Sequence, residues 1–322
     1  MGSEQAREAR LSRSPGATPT MVLAGDVDPG PLRSAGWQLR GTLSGMPYLD
    51  LLDAATYTGA AELAADPLVD AVAVDGSDRE LAALLPELRA AGLLLLLPAP
   101  APLEPDLVRA ARAVDAPADA CVGLLERWRP WALTVAAALP LAGGPPVQVT
   151  VRGWPRGRPA AAELVDLVSA WCGEIAAVVA APAVLPAAEL PATGGQPPAA
   201  VSWALLTASG ATVLVSHDGP VPSVRISFAT ARLLAGPAGV RWDGGAELPL
   251  ALMTGPAWAP HPARHDPAAV AVAAALTHGV GGGDVPARDW PWPADLSDLL
   301  VAARVLEALR TSARSQALVP VA

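Results

Sequence analysis

The sequence has 322 residues, of which 52% are hydrophobic and 16% are charged, so it encodes a globular protein with enough chain for two domains. Its formal net charge of −9 argues against a nucleic-acid partner, because binding to a phosphate backbone requires a positively charged face. No apolar run approaches the roughly 20 residues that span a bilayer, which argues against a membrane protein, and Cys121 and Cys172 are predicted to be free buried thiols of a cytoplasmic protein.

The N-terminal residues 1–19 lack a hydrophobic segment and are predicted to form a disordered leader rather than a secretion signal. A short apolar strand follows from Thr20. Two alignments of this region stay open. In the favoured one this strand is the first of a sheet and residues 37–43 form the second; in the other, residues 22–27 are the second strand and the first is absent.

The loop after this strand has a damaged glycine fingerprint. Dinucleotide-binding sheets end their first strand in Gly-x-Gly-x-x-Gly, where the missing side chains let backbone amides approach a diphosphate. Here Gly25 and Gly30 keep the outer spacing, but Val27 stands at the middle position, and Asp26 and Asp28 add negative charge. The sequence therefore predicts that no dinucleotide is bound.

A strand–helix–strand pattern dominates the next segment. Two apolar runs, 69–74 and 93–97, flank an amphipathic helix over 77–92 in which Pro86 is predicted to cause a kink. This βαβ unit predicts a parallel sheet covered by helices. Ligands of such sheets bind at the carboxyl ends of the strands, and here the second strand is followed by Pro98 and Ala99.

Residues 121–131 read CVGLLERWRPW. Together with the βαβ unit and the segment from Tyr57 to Pro67, this segment resembles the Gfo/Idh/MocA family of NAD(P)-dependent oxidoreductases. Members of that family have the motif V-G-x-x-x-R-W-x-P at this place. The resemblance runs from about residue 20 to the last helix. It implies an α/β protein with a Rossmann-like parallel-sheet domain over 20–120 and a C-terminal α+β domain over 121–294.

The second domain is expected to contain a large, mostly antiparallel open sheet, beginning with a strand at 147–153 and a helix at 164–171. Further strand-like runs are separated by turn residues; they cover 175–181, 201–206, 211–216, 224–228 and 239–242. The resemblance implies a homo- or hetero-oligomer formed through this sheet. The aromatic residues Trp203, Phe228 and Trp242 are expected either to pack in the core or to lie on the exposed face of the sheet. Helix 295–315 is expected to return to the first domain.

The positions that carry catalysis in the resembled family are altered. Its Glu-Lys-Pro, whose lysine transfers the proton, aligns with Pro98, Ala99 and Pro100, so the lysine position is Ala99. Its histidine aligns with Glu163, and the last aspartate of the same helix motif with Asp166. A shifted alignment cannot restore the lysine, because the chain has none and its 22 basic residues are all arginine, which stays protonated. We interpret these positions as degenerate and expect neither a catalytic residue nor a cofactor.

Other residues are candidates for contact with a ligand or partner. Arg127 and Arg129, beside Trp128, are predicted either to hold an acidic group or to form salt bridges. Trp290 and Trp292, in a Trp-Pro-Trp-Pro stretch, are candidate contacts for a protein or peptide. No histidine or cysteine spacing predicts a metal site.

The prediction that follows is a catalytically inactive relative of these oxidoreductases. It would act as an accessory or recognition subunit for a partner enzyme or a peptide substrate, for example in a specialised biosynthetic pathway. The alternative is a divergent NAD(P)-dependent oxidoreductase that acts on a small substrate and takes its proton from water or Glu163.

Overall fold

The structure is a computed structural model that describes residues 18–43, 55–76, 78–98, 104–114, 120–180, 202–249, 266, 269, 272 and 294–321. They fall into two compact units, 1–125 with 254–300 and 126–253 with 301–322. Most of the predicted leader, Ala99, Trp290 and Trp292 lie outside the described residues.

The first unit is built on a six-stranded sheet with the order β3-β2-β1-β4-β5-β6, in which every neighbouring pair is parallel. Its strands are β1 (Thr20–Ala24), β2 (Gln38–Leu43), β3 (Ala55–Tyr57), β4 (Ala71–Val74), β5 (Leu94–Leu97) and β6 (Ala120–Val122). Its helices are α1 (Pro29–Ser34), α2 (Ala60–Ala65), α3 (Arg79–Ala83), α4 (Leu85–Ala90) and α5 (Pro105–Ala113).

The predicted βαβ unit is present. Every residue of β4 and β5 is buried, as expected for inner strands of a parallel sheet whose faces are covered. The intervening helix is divided into α3 and α4, and Pro86 lies in the first turn of α4, where its missing N–H has no intrahelical role. The predicted interruption at this proline is therefore confirmed.

The strand pairing also decides between the two alignments of the N-terminal region. β1 pairs in parallel with β2 on one side and with β4 on the other. The strand that begins at Thr20 is thus the central first strand, and the alternative that made residues 22–27 the second strand is wrong. The strand order is that of a Rossmann sheet. The chain places β2 and β3 on one side of β1 and then β4, β5 and β6 on the other side, so the switch point of the order lies between β1 and β4.

The second unit contains a nine-stranded sheet with the order β14-β13-β12-β11-β7-β10-β9-β8-β15. Among the strands that the structure describes, β7 and β10 form the one parallel pair in this sheet. The strands are β7 (Gln148–Arg152), β8 (Ile175–Ala180), β9 (Ser202–Thr207), β10 (Thr212–Ser216), β11 (Ser223–Ser227), β12 (Arg232–Gly236), β13 (Gly239–Trp242), β14 (Glu247–Leu248) and β15 (Val319–Pro320). The predicted open, mostly antiparallel sheet is confirmed.

Helices α6 (Pro130–Ala138) and α7 (Arg158–Cys172) belong to this unit, while α8 (Leu296–Ser315) begins in the first unit and continues in the second. A cluster of indoles stabilises α6 and α7. The ring of Trp131 lies 6.4 Å from that of Trp154 and 5.8 Å from that of Trp171, both in edge-to-face orientation. α7 begins six residues earlier than the helix predicted from the sequence.

The aromatic residues predicted for an exposed sheet face are placed differently. Trp203 and Phe228 are only 3% and 7% exposed, so their assignment to an exposed face is wrong and core packing is correct. Trp242 is half-buried against Phe228 at a ring distance of 6.0 Å. In the part of the chain that the structure describes, no helix combines the length and apolarity needed to cross a membrane.

Candidate functional site

Gly25 follows β1 at the point where the order of the parallel sheet reverses. Its φ of +85° lies in the left-handed region, and a Cβ on it would lie 2.6 Å from the Cβ of Asp75 and 2.8 Å from Cδ1 of Leu81. Both the backbone angle and the space therefore require glycine. The first glycine of the fingerprint is explained by packing against the end of β4, without reference to a phosphate.

Val27 does not obstruct this turn in the way predicted. Its side chain is 2% exposed and belongs to the hydrophobic core, so its Cβ does not stand in the solvent-facing approach to the turn. That part of the prediction is wrong because alternation along the turn points Val27 inward and leaves Asp26 and Asp28 exposed.

Asp28 is the residue that changes the chemistry of the turn. It is the N-cap of α1, and its Oδ1 accepts a hydrogen bond of 2.9 Å from the backbone N–H of Gly30. An aspartate directly before Pro29 has a recognisable capping signature, which was available in the sequence. The backbone amide at the third glycine position of the fingerprint is thus already bonded to a carboxylate.

The fold therefore favours the binding of a dinucleotide, whereas the residues of the turn oppose it. The strand order has the switch point at which sheets of this kind bind dinucleotides. The turn itself presents two exposed carboxylates, Asp26 and Asp28, to a ligand with two negative charges. As they stand, the residues of this turn do not fit a diphosphate.

The neighbouring strand ends are held together closely at Pro98, the residue before the position that aligns with the family lysine. The N–H of Gly123 donates a hydrogen bond of 2.7 Å to the carbonyl oxygen of Leu97. A Cβ on Gly123 would lie 2.4 Å from the carbonyl oxygen of Pro98. The glycine of the Val-Gly motif is therefore required by the approach of the β5 end.

A second group of predicted site residues meets inside the second unit. Arg127 lies in a 3-10 turn, Leu125–Trp128, and Asp166 lies on α7. Nε of Arg127 donates to Oδ2 of Asp166 at 2.9 Å, and a second bond joins Nη2 to Oδ1, so the pair is bidentate. Arg127 thus meets an acidic group, and that group belongs to the protein itself.

Glu163 lies one helical turn before Asp166 and engages the same segment. Its side chain is buried, and Oε2 accepts a hydrogen bond of 2.9 Å from the backbone N–H of Glu126. Because residues three apart share a helix face, the carboxylates of Glu163 and Asp166 bind consecutive residues of the 3-10 turn, Glu126 and Arg127. The sequence predicted these positions separately and did not predict that they act on one turn.

The remaining candidates near this turn differ in exposure. Trp128 is 2% exposed and packs in the core. Arg129 is partly exposed, with Nε 3.4 Å from Oε1 of Glu126. Both arginines form salt bridges with residues of the protein, Arg127 with Asp166 and Arg129 with Glu126. The Arg127 pair is buried within the second unit, which differs from the surface or interdomain salt bridge expected as the alternative.

One face of the second sheet leaves apolar side chains exposed. Val179, Leu206 and Leu214, on β8, β9 and β10, are each about two-fifths exposed. A cavity of about 790 Å³ lies beside Val179 and Leu214 and has polar groups from Arg152 and Asp218 in its lining. Subunit contact through this sheet stays a prediction.

Solved structures that align with nearly the whole chain include an NAD binding oxidoreductase and proteins in complex with NAD or NADH. An NAD binding oxidoreductase from Klebsiella pneumoniae aligns over 95% of this chain and 100% of its own, with a TM-score of 0.70 and 17% identity. The WlbA dehydrogenase from Bordetella pertussis, in complex with NADH and UDP-GlcNAcA, aligns over 94% and 98%, with a TM-score of 0.68 and 17% identity. GenD2 from gentamicin A biosynthesis, in complex with NAD, aligns over 96% and 97%, with a TM-score of 0.65 and 18% identity.

The chain has the fold of the Gfo/Idh/MocA-type NAD-binding oxidoreductases, as the sequence predicted. No protein-family model matches the sequence, and no curated protein matches it significantly.

These structures correct the prediction that the chain has no cofactor. Proteins that share both sheets over nearly their whole length are crystallised with NAD or NADH. The prediction weighed the damaged fingerprint more heavily than the fold, and it assigned to Val27 an obstruction that the buried side chain does not cause.

Proposed function

We propose that this protein is a divergent NAD(P)-dependent oxidoreductase that acts on a small hydroxylated substrate. The observation that carries the proposal is the Rossmann strand order followed by the nine-stranded sheet, an arrangement that aligns over at least 94% of the chain with oxidoreductases of known structure. One of these structures holds a nucleotide sugar together with NADH, which supports a substrate rich in hydroxyl groups.

A titratable group is needed for the proton that leaves the substrate hydroxyl. Arginine cannot supply it because its pKa is too high, and the sequence contains no lysine. Glu163, at the position of the family histidine, is the side chain that we assign to this role, with water as the alternative. Its hydrogen bond with the N–H of Glu126 fixes the orientation of the carboxylate.

The competing hypothesis is the non-catalytic accessory subunit predicted from the sequence. It is supported by the altered positions Pro98 and Glu163, whereas the comparisons support the oxidoreductase. The two hypotheses differ in whether a nicotinamide coenzyme binds and is turned over.

Titration of the full chain with NADH and NADPH, followed by nicotinamide fluorescence and by calorimetry, tests the proposal. We expect saturable binding of one coenzyme per chain, displaced by the oxidised form, while ATP serves as a control nucleotide without nicotinamide. A panel of polyols and sugars, assayed for NAD(P)+ reduction at 340 nm, then identifies the substrate class. Lack of saturable binding up to about 1 mM of either coenzyme, together with lack of turnover, would overturn the proposal.

A further inference from the structure

The second sheet has a cavity at one end of its strands. β7 and β10 are parallel, and β8 runs in the same direction because β8 and β10 are both antiparallel to β9. The carboxyl ends of these three strands therefore meet at one edge of the sheet, where they line the cavity of about 790 Å³. A cavity of this volume is within the range of small-molecule sites.

The loops that follow β7 and β10 are held against each other beside this cavity. Nδ1 of His217 donates a hydrogen bond of 2.8 Å to the carbonyl oxygen of Trp154. Gly153 has a φ of +65°, and a Cβ on it would lie 2.4 Å from the carbonyl oxygen of Val221, so glycine is required at this position. These contacts fix the ends of both strands relative to each other.

Two opposite charges line the cavity without forming an ion pair. Arg152 is the last residue of β7, Asp218 follows the end of β10, and both are exposed. Within the described residues, neither side chain has an ion-pair partner, although the two strands are neighbours. Val179 and Leu214, each about two-fifths exposed, supply apolar surface to the same lining. The cavity thus combines a guanidinium, a carboxylate and aliphatic side chains.

We propose that this cavity binds a small aliphatic zwitterion, that is, an amino acid with an aliphatic side chain or a dipeptide of such residues. The ligand carboxylate pairs with Arg152, its ammonium group pairs with Asp218, and its side chain contacts Val179 and Leu214. Charge complementarity favours this class, because a ligand with a single charge leaves either Arg152 or Asp218 unpaired. The proposal does not depend on the oxidoreductase activity.

The backbone of Gln316, which also lines the cavity, supports a ligand at this place. Its φ of +55° is the one positive value of a non-glycine residue in the described part of the chain. Glycine is the usual residue at such a position after a helix, because a side chain is strained there. Residues in strained conformations cluster at ligand sites, and the Gln316 amide offers a further hydrogen bond to a zwitterion.

Calorimetry of the full chain at low ionic strength with a series of ligands tests the proposal. Leucine and leucyl-leucine carry both charges and aliphatic side chains, glycine carries the charges alone, and leucinamide and N-acetyl-leucine each carry one charge. We expect leucine or leucyl-leucine to bind about tenfold more tightly than the other three, which is the effect of one lost charged hydrogen bond or apolar contact. The tighter of the two distinguishes a free amino acid from a dipeptide.

Substitutions then assign each charge to its partner. Arg152→Gln should abolish the difference in affinity between leucine and leucinamide, and Asp218→Asn should abolish that between leucine and N-acetyl-leucine. Gln316→Gly should bind leucine about two- to fivefold more weakly while its melting temperature rises, since glycine relieves the strain. The matched control is Arg241→Gln, because Arg241 is an exposed arginine on β13 of the same sheet that does not line the cavity.

Thermal melts of all variants show whether they are folded. The proposal is wrong if neither leucine nor leucyl-leucine binds at concentrations up to about 10 mM, or if leucinamide and N-acetyl-leucine bind as tightly as leucine. It is also wrong if analytical sedimentation shows a dimer whose formation excludes both ligands, because a second copy of the chain then occupies this face of the sheet.

Discussion

The guanidinium of Arg127 and the carboxylate of Asp166 form a buried bidentate ion pair, with side chains only 5% and 4% exposed. The pair joins the 3-10 turn that opens the second unit to the middle of α7. Glu163 adds a hydrogen bond to the residue next to Arg127. Three positions that resembled separate family sites are thus parts of one junction.

Loss of one member of this pair is expected to destabilise the protein strongly. Asp166→Ala leaves the Arg127 guanidinium buried without its counter-charge, which costs about 3–5 kcal/mol. Urea denaturation followed by tryptophan fluorescence measures the change. The control is Asp106→Ala, because the Arg109–Asp106 pair is exposed on both sides and should contribute less than about 1 kcal/mol. Equal losses of unfolding free energy in Asp166→Ala and Asp106→Ala would show that burial does not raise the cost of breaking the Arg127–Asp166 pair.

Two substitutions of Glu163 separate positioning from proton transfer. Glu163→Gln retains an oxygen for the Glu126 N–H but cannot accept a proton at neutral pH, so turnover is expected to fall by about 100-fold while stability changes little. Glu163→Ala also removes the acceptor and should lower stability by about 1–3 kcal/mol, because it leaves a buried N–H without its partner. Unchanged turnover in the glutamine variant would show that Glu163 only holds the turn in place.

The approach of the β5 end to Gly123 predicts a steric effect. In Gly123→Ala the new Cβ would lie 2.4 Å from the carbonyl oxygen of Pro98, so backbone has to move. We expect a loss of about 1–3 kcal/mol in the free energy of unfolding. Gly144→Ala is the control, since no atom lies within 4 Å of the Cβ built there. A neutral result for Gly123→Ala would mean that the two strand ends can separate freely.

A polar cluster in the first unit predicts how the stability of the protein changes at alkaline pH. The hydroxyl of Tyr57 donates to Oδ2 of Asp66 at 2.7 Å, and Nε of Arg40 donates to the same oxygen at 2.8 Å. Burial and the hydrogen bond with Asp66 raise the pKa of Tyr57 to about 12. For Asp66, burial alone would raise the pKa, but the bonds from Arg40, Tyr57 and the Leu68 N–H outweigh it and lower the pKa below its ordinary value.

Because the Tyr57 pKa is raised in the folded state, its stabilising contribution is complete below pH 10 and is lost as the pH rises towards 12. Tyr57→Phe should therefore be less stable than the unmodified chain at pH 8, by about 1 kcal/mol, and the difference should shrink above pH 10. Denaturation curves at a series of pH values measure this. Burial also raises the pKa of Cys172 to about 12, but that thiol is present in both proteins and cancels in the comparison. A constant difference across the series would contradict the assignment.

The regular parts of this fold were predictable because local pattern and global burial agree there. The βαβ unit was readable since the runs of β4 and β5 are wholly apolar and a capped helix separates them. Strand β3 was not predicted: it has three residues, and its place in the sheet depends on pairing with β2 rather than on its own pattern.

The sequence predicted which positions belong to the candidate site better than it predicted the contacts that their side chains make. Val27 occupies a fingerprint position, yet whether its side chain faces a ligand or the core depends on the path of the turn. The cap at Asp28 had a local sequence signal, an aspartate directly before a proline, but the sequence analysis predicted only its charge.

By itself, the sequence determined the apolar strands of the βαβ unit, the resemblance to the family and the absence of lysine, because these depend on residue type and on spacing along the chain. Only the tertiary structure decided that Arg127 pairs with Asp166, that Glu163 holds the neighbouring amide, and that Gly25 and Gly123 are required by packing. Those relationships join residues 25–56 positions apart, and chain separation carries no information about which side chains meet until the sheets and helices have packed.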